Sequence, residues 1–430
     1  MKYVAVGVFV ALFADHLVGG GQSAVVVVPV ADLLKVSLGR AWSTKDVAAS
    51  YDALPYCHAS YVDNHTVCPR THQALYNTIV EIIEYNGDEV YVRVPYLFVR
   101  DKGTGKNRNA FWMLRSNLIL LDQLTPDVLA AIPPSIDYHD PGSVCCQEVV
   151  TLTQPFHDAT IGVAFSAGTR FVRAGVASCD GEPVYVLRNH GQHVDVVSLP
   201  RQRCVVGCPL RRNERIKNCV RLLREWVKCY DGKVVPFVWG GASFIDYDCE
   251  GDFELATDLF DGRSHSFFVR PTCMTGVKTG FDCSGLILRA AQISGVPYFC
   301  KNSHTVPQHL ACLMPGELPK DGDIMQYTGH VLVVSSVEQN LAIEAAGYNA
   351  WHGIVHEVPL SRLFKDITMY EQLANRLHSQ LPIERLDQDG RVVSKIDSFS
   401  ILKMASVWHE TETPLCEIDL ARYTEPFNAH

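Results

Sequence analysis

The sequence predicts an α+β protein in which two small β-domains precede a domain of helices followed by strands. Strand-like runs joined by turn signals dominate the chain before residue 207. A helical spacing of apolar residues begins at Asn213, and a second helix is expected close to Cys283. Three strand-like runs follow that helix. An order of helices and then strands is typical of an α+β domain.

Length and composition are those of a globular protein with several domains. The chain has 430 residues, of which 47% are hydrophobic and 20% charged, so a packed fold is expected, with two to four domains. The formal net charge is -9, whereas a nucleic-acid partner normally requires a basic face. We therefore expect no nucleic-acid partner.

The first residues have the layout of an export signal. Met1-Lys2 is followed by the apolar run Val4 to Ala14, and small residues surround a cut after Ser23 or Ala24. A buried strand or short helix is the alternative. No later window reaches the roughly 18 apolar residues of a membrane helix. We therefore expect a signal peptide at 1–24, a secreted or periplasmic protein of the cell envelope, and no stable membrane insertion.

Fifteen cysteines leave disulfides and zinc as open questions. An oxidising compartment would permit disulfides, whose pairing the sequence does not assign. Two groups resemble half of a zinc site, but neither has a second half at ligand spacing. They are Cys57, His58, His65 and Cys68, and Cys204 with Cys208. We expect no metal and no cofactor.

The predicted β-domains span residues 25–130 and 143–206. In the first, Asn86-Gly87 predicts a hairpin between Ile79–Tyr85 and Glu89–Val94. In the second, strands at 183–187 and 194–197 flank Asn189-His190-Gly191, with further strands at 149–153 and 171–176. Pro126 to Gly142 is predicted to be a linker.

Residues 207–372 form the predicted α+β domain. The first helix runs from Asn213, a candidate cap, through Cys229. The second starts near Cys283 and stops before Gly295 and Pro297. The following strands are 323–327, 330–335 and 341–345. The C-terminal extension, 373–430, is left unassigned and without chemistry.

Cys283 and His330 are the candidate nucleophile and base. A helix N-terminus stabilises a thiolate through its unpaired N–H groups and dipole, and the same groups can face an oxyanion. His330 opens an apolar strand after Tyr327-Thr328-Gly329, where its ring can project toward a cleft. Burial in a core is the ordinary role of a single cysteine or histidine, so the pairing is what matters.

Glu344 is the candidate third residue, because a catalytic imidazole needs an orienting partner. A turn centred on residue 337 would place Glu344 directly across from His330 on the same face of a hairpin. The alternative is a strand end at the surface.

Four blocks in order resemble the NlpC-type cell-wall peptidase family over roughly residues 210–360. The resemblance implies a papain-like domain in which Cys283 is the nucleophile, His330 the base and Glu344 the orienting residue. The blocks are Val235-Pro236-Phe237-Val238-Trp239-Gly240-Gly241, Phe281-Asp282-Cys283-Ser284-Gly285-Leu286, Gly322-Asp323-Ile324 and Gly329-His330-Val331.

The two β-regions resemble bacterial Src-homology-3-like domains. Family members with such domains resemble enzymes that cut murein peptides between γ-D-glutamate and a diamino acid. The resemblance implies substrate binding by residues around the nucleophile: Asp282, Ser284, Ser303 and Trp239. An acidic Asp282 suits a substrate ammonium.

Three positions depart from the family pattern. Phe237 stands where a Tyr is usual, Glu344 stands in the third position where many members have a second His, and Asn77-Thr78 stands where Gly-Glu is common. Recognition of a free N-terminus is therefore not expected from the first β-domain. The 242–280 insertion, with acidic residues in its first part, is a solvated loop or a lid over the cleft.

The resulting hypothesis is a cysteine endopeptidase that hydrolyses murein stem peptides at the γ-D-glutamyl-diamino acid bond through a Cys-His-Glu centre. Two alternatives stay open. One is a weak or inactive wall-binding protein, and the other is a Cys/His amidase or acyltransferase that uses the same centre.

Overall fold

The computed structural model describes eleven stretches of the chain. These are residues 21–41, 46–55, 68–101, 104–176, 181–188, 191–207, 211–228, 234–245, 277–347, 353–387 and 389–408. Strands predominate in them, and helices contribute a smaller part. The predicted α+β class is confirmed.

The first β-region consists of a seven-stranded antiparallel sheet and two short helices. Its strand order is β3-β2-β8-β5-β4-β1-β9, while β6 and β7 pair with each other beside it. The elements are β1 Gln22–Val26, β2 Val30–Leu34, α1 Leu38–Ala41, α2 Val47–Asp52, β3 Arg70–Leu75, β4 Ile79–Asn86, β5 Glu89–Arg93, β6 Phe98–Arg100, β7 Asn107–Arg108, β8 Ala110–Leu114 and β9 Leu118–Leu120.

The predicted hairpin of this region is confirmed, with its turn one residue later than expected. Asn86 pairs with Glu89, so the connecting residues are Gly87 and Asp88. Gly87 has a φ of 60°, a conformation that glycine adopts without a Cβ clash. The turn therefore uses its glycine at the first connecting position.

Most of the predicted signal peptide lies outside the described residues. The expected cleavage positions, after Ser23 or Ala24, fall within β1. Ala24 is buried there and pairs with Val80 and Leu120. Cleavage at either position would remove the first residues of this strand from the sheet.

The segment predicted as a linker, residues 126–142, is packed rather than extended. It begins with α3, Pro126–Ala130, and the side chains of Ile136 and Tyr138 are buried in the main apolar cluster. Pro126 is favourable at the start of α3 because the first N–H groups of a helix have no acceptor within the helix, so the N–H that proline lacks is not missed. A proline in this segment thus begins a helix.

The second β-region consists of three small sheets. Its hairpin of β14 and β15 confirms the predicted pair of strands, although Asn189 and His190 lie outside the described residues. Tyr76 of the first region donates its hydroxyl to Leu187 O at 2.8 Å and packs among the apolar residues of the second. The strands are β10 Val149–Leu152, β11 Phe156–Asp158, β12 Val163–Phe165, β13 Arg170–Val172, β14 Glu182–Arg188, β15 His193–Leu199 and β16 Cys204–Val206.

The third region has the predicted order of helices and then strands. The first helix starts one residue earlier than expected, at Arg212, and its preceding N–H, from Arg211, donates to the Glu214 carboxylate at 3.0 Å. The elements are α4 Arg212–Trp226, β17 Ala242–Ser243, β18 Gly280–Phe281, α5 Cys283–Ile293, β19 Cys300–Lys301, β20 Ile324–Tyr327, β21 His330–Ser336, β22 Leu341–Ala346 and β23 Ile354–Pro359.

The C-terminal extension contributes to this domain through its described residues, which end at 408. The central antiparallel sheet has the order β23-β22-β21-β20-β26, so its last strand comes from the extension. Tyr327 pairs directly with Phe399. The remaining elements are α6 Leu360–Leu363, α7 Tyr370–His378, β24 Ile383–Leu386, β25 Val392–Ile396 and β26 Phe399–Leu402.

Apolar residues cover both faces of this sheet. Val331, Val333 and Ile343 pack with α4 and α5 in one cluster. Leu332, Val334 and Ala342 pack with α6, α7 and the β24–β25 hairpin in a second cluster. Alternate side chains of a strand point to opposite faces, so the sheet is a central layer between two layers.

Six cysteines at described positions carry free thiols. They are Cys146, Cys204, Cys219, Cys283, Cys300 and Cys312. Cys57, His58, His65 and Cys208 of the two half-sites considered for zinc lie outside the described residues. Within those residues, no helix is both long and apolar enough to span a membrane.

Candidate active site

Cys283 is the first residue of α5, as the sequence predicts. Asp282 is the N-cap, and its Oδ1 accepts hydrogen bonds from Gly285 N at 2.6 Å and from Ser284 Oγ at 2.9 Å. A side-chain oxygen at this position satisfies an N–H group that the helix itself leaves unpaired. The Asp282 carboxylate therefore fixes the turn that presents the thiol.

Gly285 lets α5 approach the strand block that precedes the insertion. A Cβ at this position would lie 2.0 Å from Gly241 O and 3.1 Å from Lys301 Nζ. Only a residue without a side chain fits this contact, because a backbone carbonyl has little freedom to move away. The glycines of the two sequence blocks, Gly241 and Gly285, thus meet in the fold.

Some of the N–H groups at the start of α5 have hydrogen-bond acceptors within the protein, whereas those of Cys283 and Ser284 are candidates for binding an oxyanion. Asp282 N donates to Gly241 O at 3.1 Å, and Gly285 N donates to the Asp282 carboxylate. The first bond within the helix is from Leu286 N to Asp282 O at 3.0 Å. A helix leaves its first four N–H groups without an internal partner. The N–H groups of Cys283 and Ser284 are thus placed to face an oxyanion.

Lys301 neutralises the cap residue. Its ammonium group is bonded to Asp282 Oδ2 and lies 3.3 Å from Ser284 Oγ, and its side chain is only 1% exposed. Asp282 and Ser284, both expected to bind substrate, are thus joined to each other and to a cation of the protein. Lys301 is a residue that the sequence reading missed.

His330 is the first residue of β21 and follows the two-residue turn Thr328-Gly329. Gly329 has a φ of 86°, which permits the tight turn, and Tyr327 pairs with His330 across it. The Nε2 atom of the imidazole lies 2.7 Å from Glu344 Oε2, and Cys283 is among the neighbouring groups that raise the pKa of this imidazole. The His330 side chain is 17% exposed. The three residues proposed as nucleophile, base and orienting carboxylate therefore lie together in the fold.

Glu344 lies near His330 in a register that differs from the expected one. Val333 pairs with Ile343, and the register shifts between Val334 and Ser336. The turn spans residues 337–340, later than a turn centred on residue 337, so Glu344 is a diagonal neighbour of His330 rather than directly opposite. Diagonal neighbours on one face are still within reach of long side chains. The expected contact occurs, although the exact pairing was wrong.

Glu344 is buried and has two further partners. Its Oε1 accepts from His356 Nε2 at 3.0 Å and from Arg385 Nη2 at 2.5 Å. Both were missed by the sequence reading. His356 is on β23 next to Glu344, and Arg385 shares its strand face with Ile383. A charged residue two positions from a buried apolar residue of the same strand lies on the buried face, and this spacing could have indicated that Arg385 is buried.

The pKa values of this centre favour an ionised arrangement. Burial lowers the pKa of His330, but Tyr327, Cys283 and Glu344 outweigh it and hold the pKa well above its usual value. Burial raises the pKa of Glu344, but Arg385 and the bonds from His330 and His356 hold it well below its usual range. An imidazolium beside a carboxylate is therefore the stable state.

The other two expected site residues are a buried Ser303 and a half-buried Trp239. Ser303 is buried two residues after Lys301. The Trp239 side chain is half-buried against two apolar clusters, and its carbonyl accepts from Arg70 Nη1 at 3.1 Å. Phe237 is at the position of the family's Tyr. Its ring atom Cζ would lie 3.5 Å from a Cβ added at Gly347, which is an ordinary van der Waals contact.

The insertion leaves the domain from a paired base. Ala242 pairs with Phe281, and Ser243 pairs with Gly280. The acidic residues of its first part, from Asp246 to Asp261, lie outside the described residues. The insertion therefore begins and ends directly beside Asp282 and Cys283.

Comparisons with known proteins found similarity in solved structures. The first is an NlpC/P60 family protein from Bacillus cereus, with 16% identity, a TM-score of 0.46, and coverage of 79% of this chain and 94% of that one. An NlpC/P60 endopeptidase from Photobacterium damselae has 11% identity, a TM-score of 0.43, and coverage of 89% and 73%.

A third similar structure is the peptidoglycan hydrolase RipB from Mycobacterium tuberculosis. It has 21% identity and a TM-score of 0.21, and the match covers 34% of this chain and 59% of that one. The first two neighbours belong to the family that the four sequence blocks resemble. No family model and no curated protein matches the chain.

Proposed function

We propose that this chain is an NlpC-type cysteine peptidase that hydrolyses murein stem peptides. One observation carries the proposal: His330 Nε2 is 2.7 Å from Glu344 Oε2, and Cys283 at the start of α5 lies close enough to His330 to raise its pKa. A thiol, an imidazole and an orienting carboxylate arranged in this order constitute an activated nucleophile. The four sequence blocks agree with the family in which this centre cuts cell-wall peptides.

Each step of the reaction has a residue in position. His330 takes the thiol proton, and Cys283 Sγ attacks the carbonyl carbon of the scissile amide. The N–H groups of Cys283 and Ser284 hold the oxyanion. His330 then gives its proton to the leaving amine as the C–N bond breaks and a thioester remains. Water, deprotonated by His330, hydrolyses the thioester and releases the acid and the thiol.

Glu344 restricts this proton transfer to one nitrogen of the His330 ring. Its Oε2 fixes the ring through Nε2, which leaves Nδ1 as the nitrogen that exchanges the proton with sulfur. A carboxylate in this position also stabilises the imidazolium that forms. The bond we assign to the substrate is the γ-D-glutamyl-diamino acid amide, and the expected place of action is the cell envelope, outside the cytoplasm.

We propose that residues around the thiol bind the peptide substrate. We assign the approach to the thiol to Asp282, Ser284, Ser303 and Trp239. Because Lys301 already neutralises Asp282, a substrate ammonium would have to share this carboxylate. A free N-terminus is therefore not part of the proposed requirement.

The test is mass spectrometry of defined muropeptides after incubation with the protein and two variants. Cys283→Ala is expected to abolish cleavage of the γ-D-glutamyl-diamino acid bond. Cys312→Ala removes an exposed thiol and is expected to cleave like the wild type. Cleavage by Cys283→Ala would refute the proposal. Cleavage of another amide would instead indicate an amidase, and an inert wild type would indicate a wall-binding protein.

A further inference from the structure

The two oxygens of Glu344 have different partners. Oε2 is 2.7 Å from His330 Nε2, whereas Oε1 is bonded to His356 and, at 2.5 Å, to Arg385. The carboxylate is held from both sides by groups on three different strands. Its orientation toward His330 is therefore set partly by His356 and Arg385.

Burial makes Glu344 and Arg385 dependent on each other. The side chains are 0% and 6% exposed, and removing an ion from water costs several kcal/mol unless it is paired. Of the cations around Glu344, only Arg385 is charged at every pH at which the protein would work, since guanidinium does not deprotonate there. His330 exchanges its proton during the proposed reaction.

We propose that Arg385 is a positioning residue of this centre, which keeps Glu344 ionised and its Oε2 directed at His330. The inference rests on the proposed function and adds to it that the β24–β25 hairpin, outside the family resemblance, completes the site. It follows that Glu344 should orient His330 less effectively without this arginine.

The titratable and charged groups around the pair come from four elements. Cys283 is on α5, Tyr327 on β20, with its ring centroid 5.4 Å from that of His330, His356 on β23, and Arg385 on β24. Arg385 is the largest influence that lowers the pKa of Glu344 against its burial. Without the guanidinium, Glu344 would take up a proton at higher pH, and the imidazolium of His330 would lose its partner.

The first test compares the thermal unfolding of Arg385→Met, Glu344→Gln and the double variant. Each single variant leaves one buried charge without its partner, so each is expected to have a lower Tm than the wild type. The double variant is expected to have a higher Tm than both single variants, because both charges are gone. If the decrease in Tm of the double variant equalled the sum of the decreases in the two single variants, the proposal would be overturned.

The second test follows alkylation of Cys283 by iodoacetamide between pH 4 and 8, a readout that a purely structural role would not change. At pH 5, Arg385→Met is expected to react about tenfold more slowly than the wild type, equivalent to one pKa unit. Arg385→Lys is expected to recover part of the rate. In the Glu344→Gln background, Arg385→Met is expected to cause no further loss.

Lys395→Met is the matched control, since this lysine is on the partner strand of the same hairpin and is 61% exposed. It is expected to alkylate and to unfold like the wild type. An Arg385→Met profile equal to that of the wild type would refute the positioning role. Neither measurement uses murein, so a failure to cleave muropeptides would affect the proposed function alone.

Discussion

Lys301 and Asp282 form an ion pair next to the nucleophile, and the lysine side chain is almost completely enclosed. The same carboxylate caps α5 through Gly285 N. The ion pair thus links the start of α5 to β19, which in turn pairs with β6 of the first β-region. We therefore expect this contact to affect both the stability of the protein and the position of the Cys283 thiol.

Replacing Lys301 by Met is therefore expected to be costly. It leaves the Asp282 carboxylate partly buried without its cation, which typically costs about 3 kcal/mol or more. Urea unfolding measures the loss. Lys395→Met, at an exposed position, is expected to change the free energy of unfolding by less than about 0.5 kcal/mol. Equal effects of the two substitutions would contradict the role of the pair.

Gly285→Ala is expected to destabilise the protein by about 3 kcal/mol, the upper part of the range for overpacking. The reason is the 2.0 Å approach of a Cβ to Gly241 O. Gly175→Ala is the control, because the nearest atom to its Cβ is Pro183 Cγ at 4.0 Å. Urea unfolding of both variants checks the expectation, and a Gly285→Ala variant as stable as Gly175→Ala would refute the close contact.

Stability is expected to depend on pH through both members of the His330–Glu344 pair. The raised pKa of His330 contributes stability that is complete below its unfolded value, about 6.5, and is lost as the pH rises through the higher folded value. The lowered pKa of Glu344 contributes stability that is present above about 4.5 and is lost as the pH falls through the lower folded value.

The measurement is the difference in unfolding free energy between the wild type and His330→Gln from pH 4 to 10. The difference is expected to be largest between these two limits and to decrease on the alkaline side above pH 6.5. A difference that is constant from pH 6 to 10 would show that His330 gains no protonated state on folding.

The sequence predicted the parts of this site that depend on local patterns. A helical spacing of apolar residues that ends before Gly295 placed Cys283 near a helix start, and a glycine turn before an apolar strand placed His330 at a strand start. The two-residue period of strands put Glu344 on the correct face. The register was missed because the turn spans residues 337–340 rather than being centred on residue 337, and no local pattern specifies where this turn closes.

The site residues that the sequence did not predict are those that only the tertiary structure brings together. Arg385 is 41 positions from Glu344 in the chain and lies in a hairpin of the extension that was left unassigned. The apolar residues of β26 indicate a strand, but only the folded sheet shows that it pairs with β20. The Src-homology-3-like resemblance of the two β-regions stays a prediction.

The central claim, that His330 activates Cys283, is tested most directly by comparing the iodoacetamide reaction rates of Cys283 and Cys312 at pH 6.5. Cys312 is exposed, whereas Cys283 is half-buried, so access alone would favour Cys312. The account predicts that Cys283 reacts at least about tenfold faster and that His330→Ala removes this advantage. A Cys283 that reacts no faster than Cys312, or equally fast without His330, would contradict it.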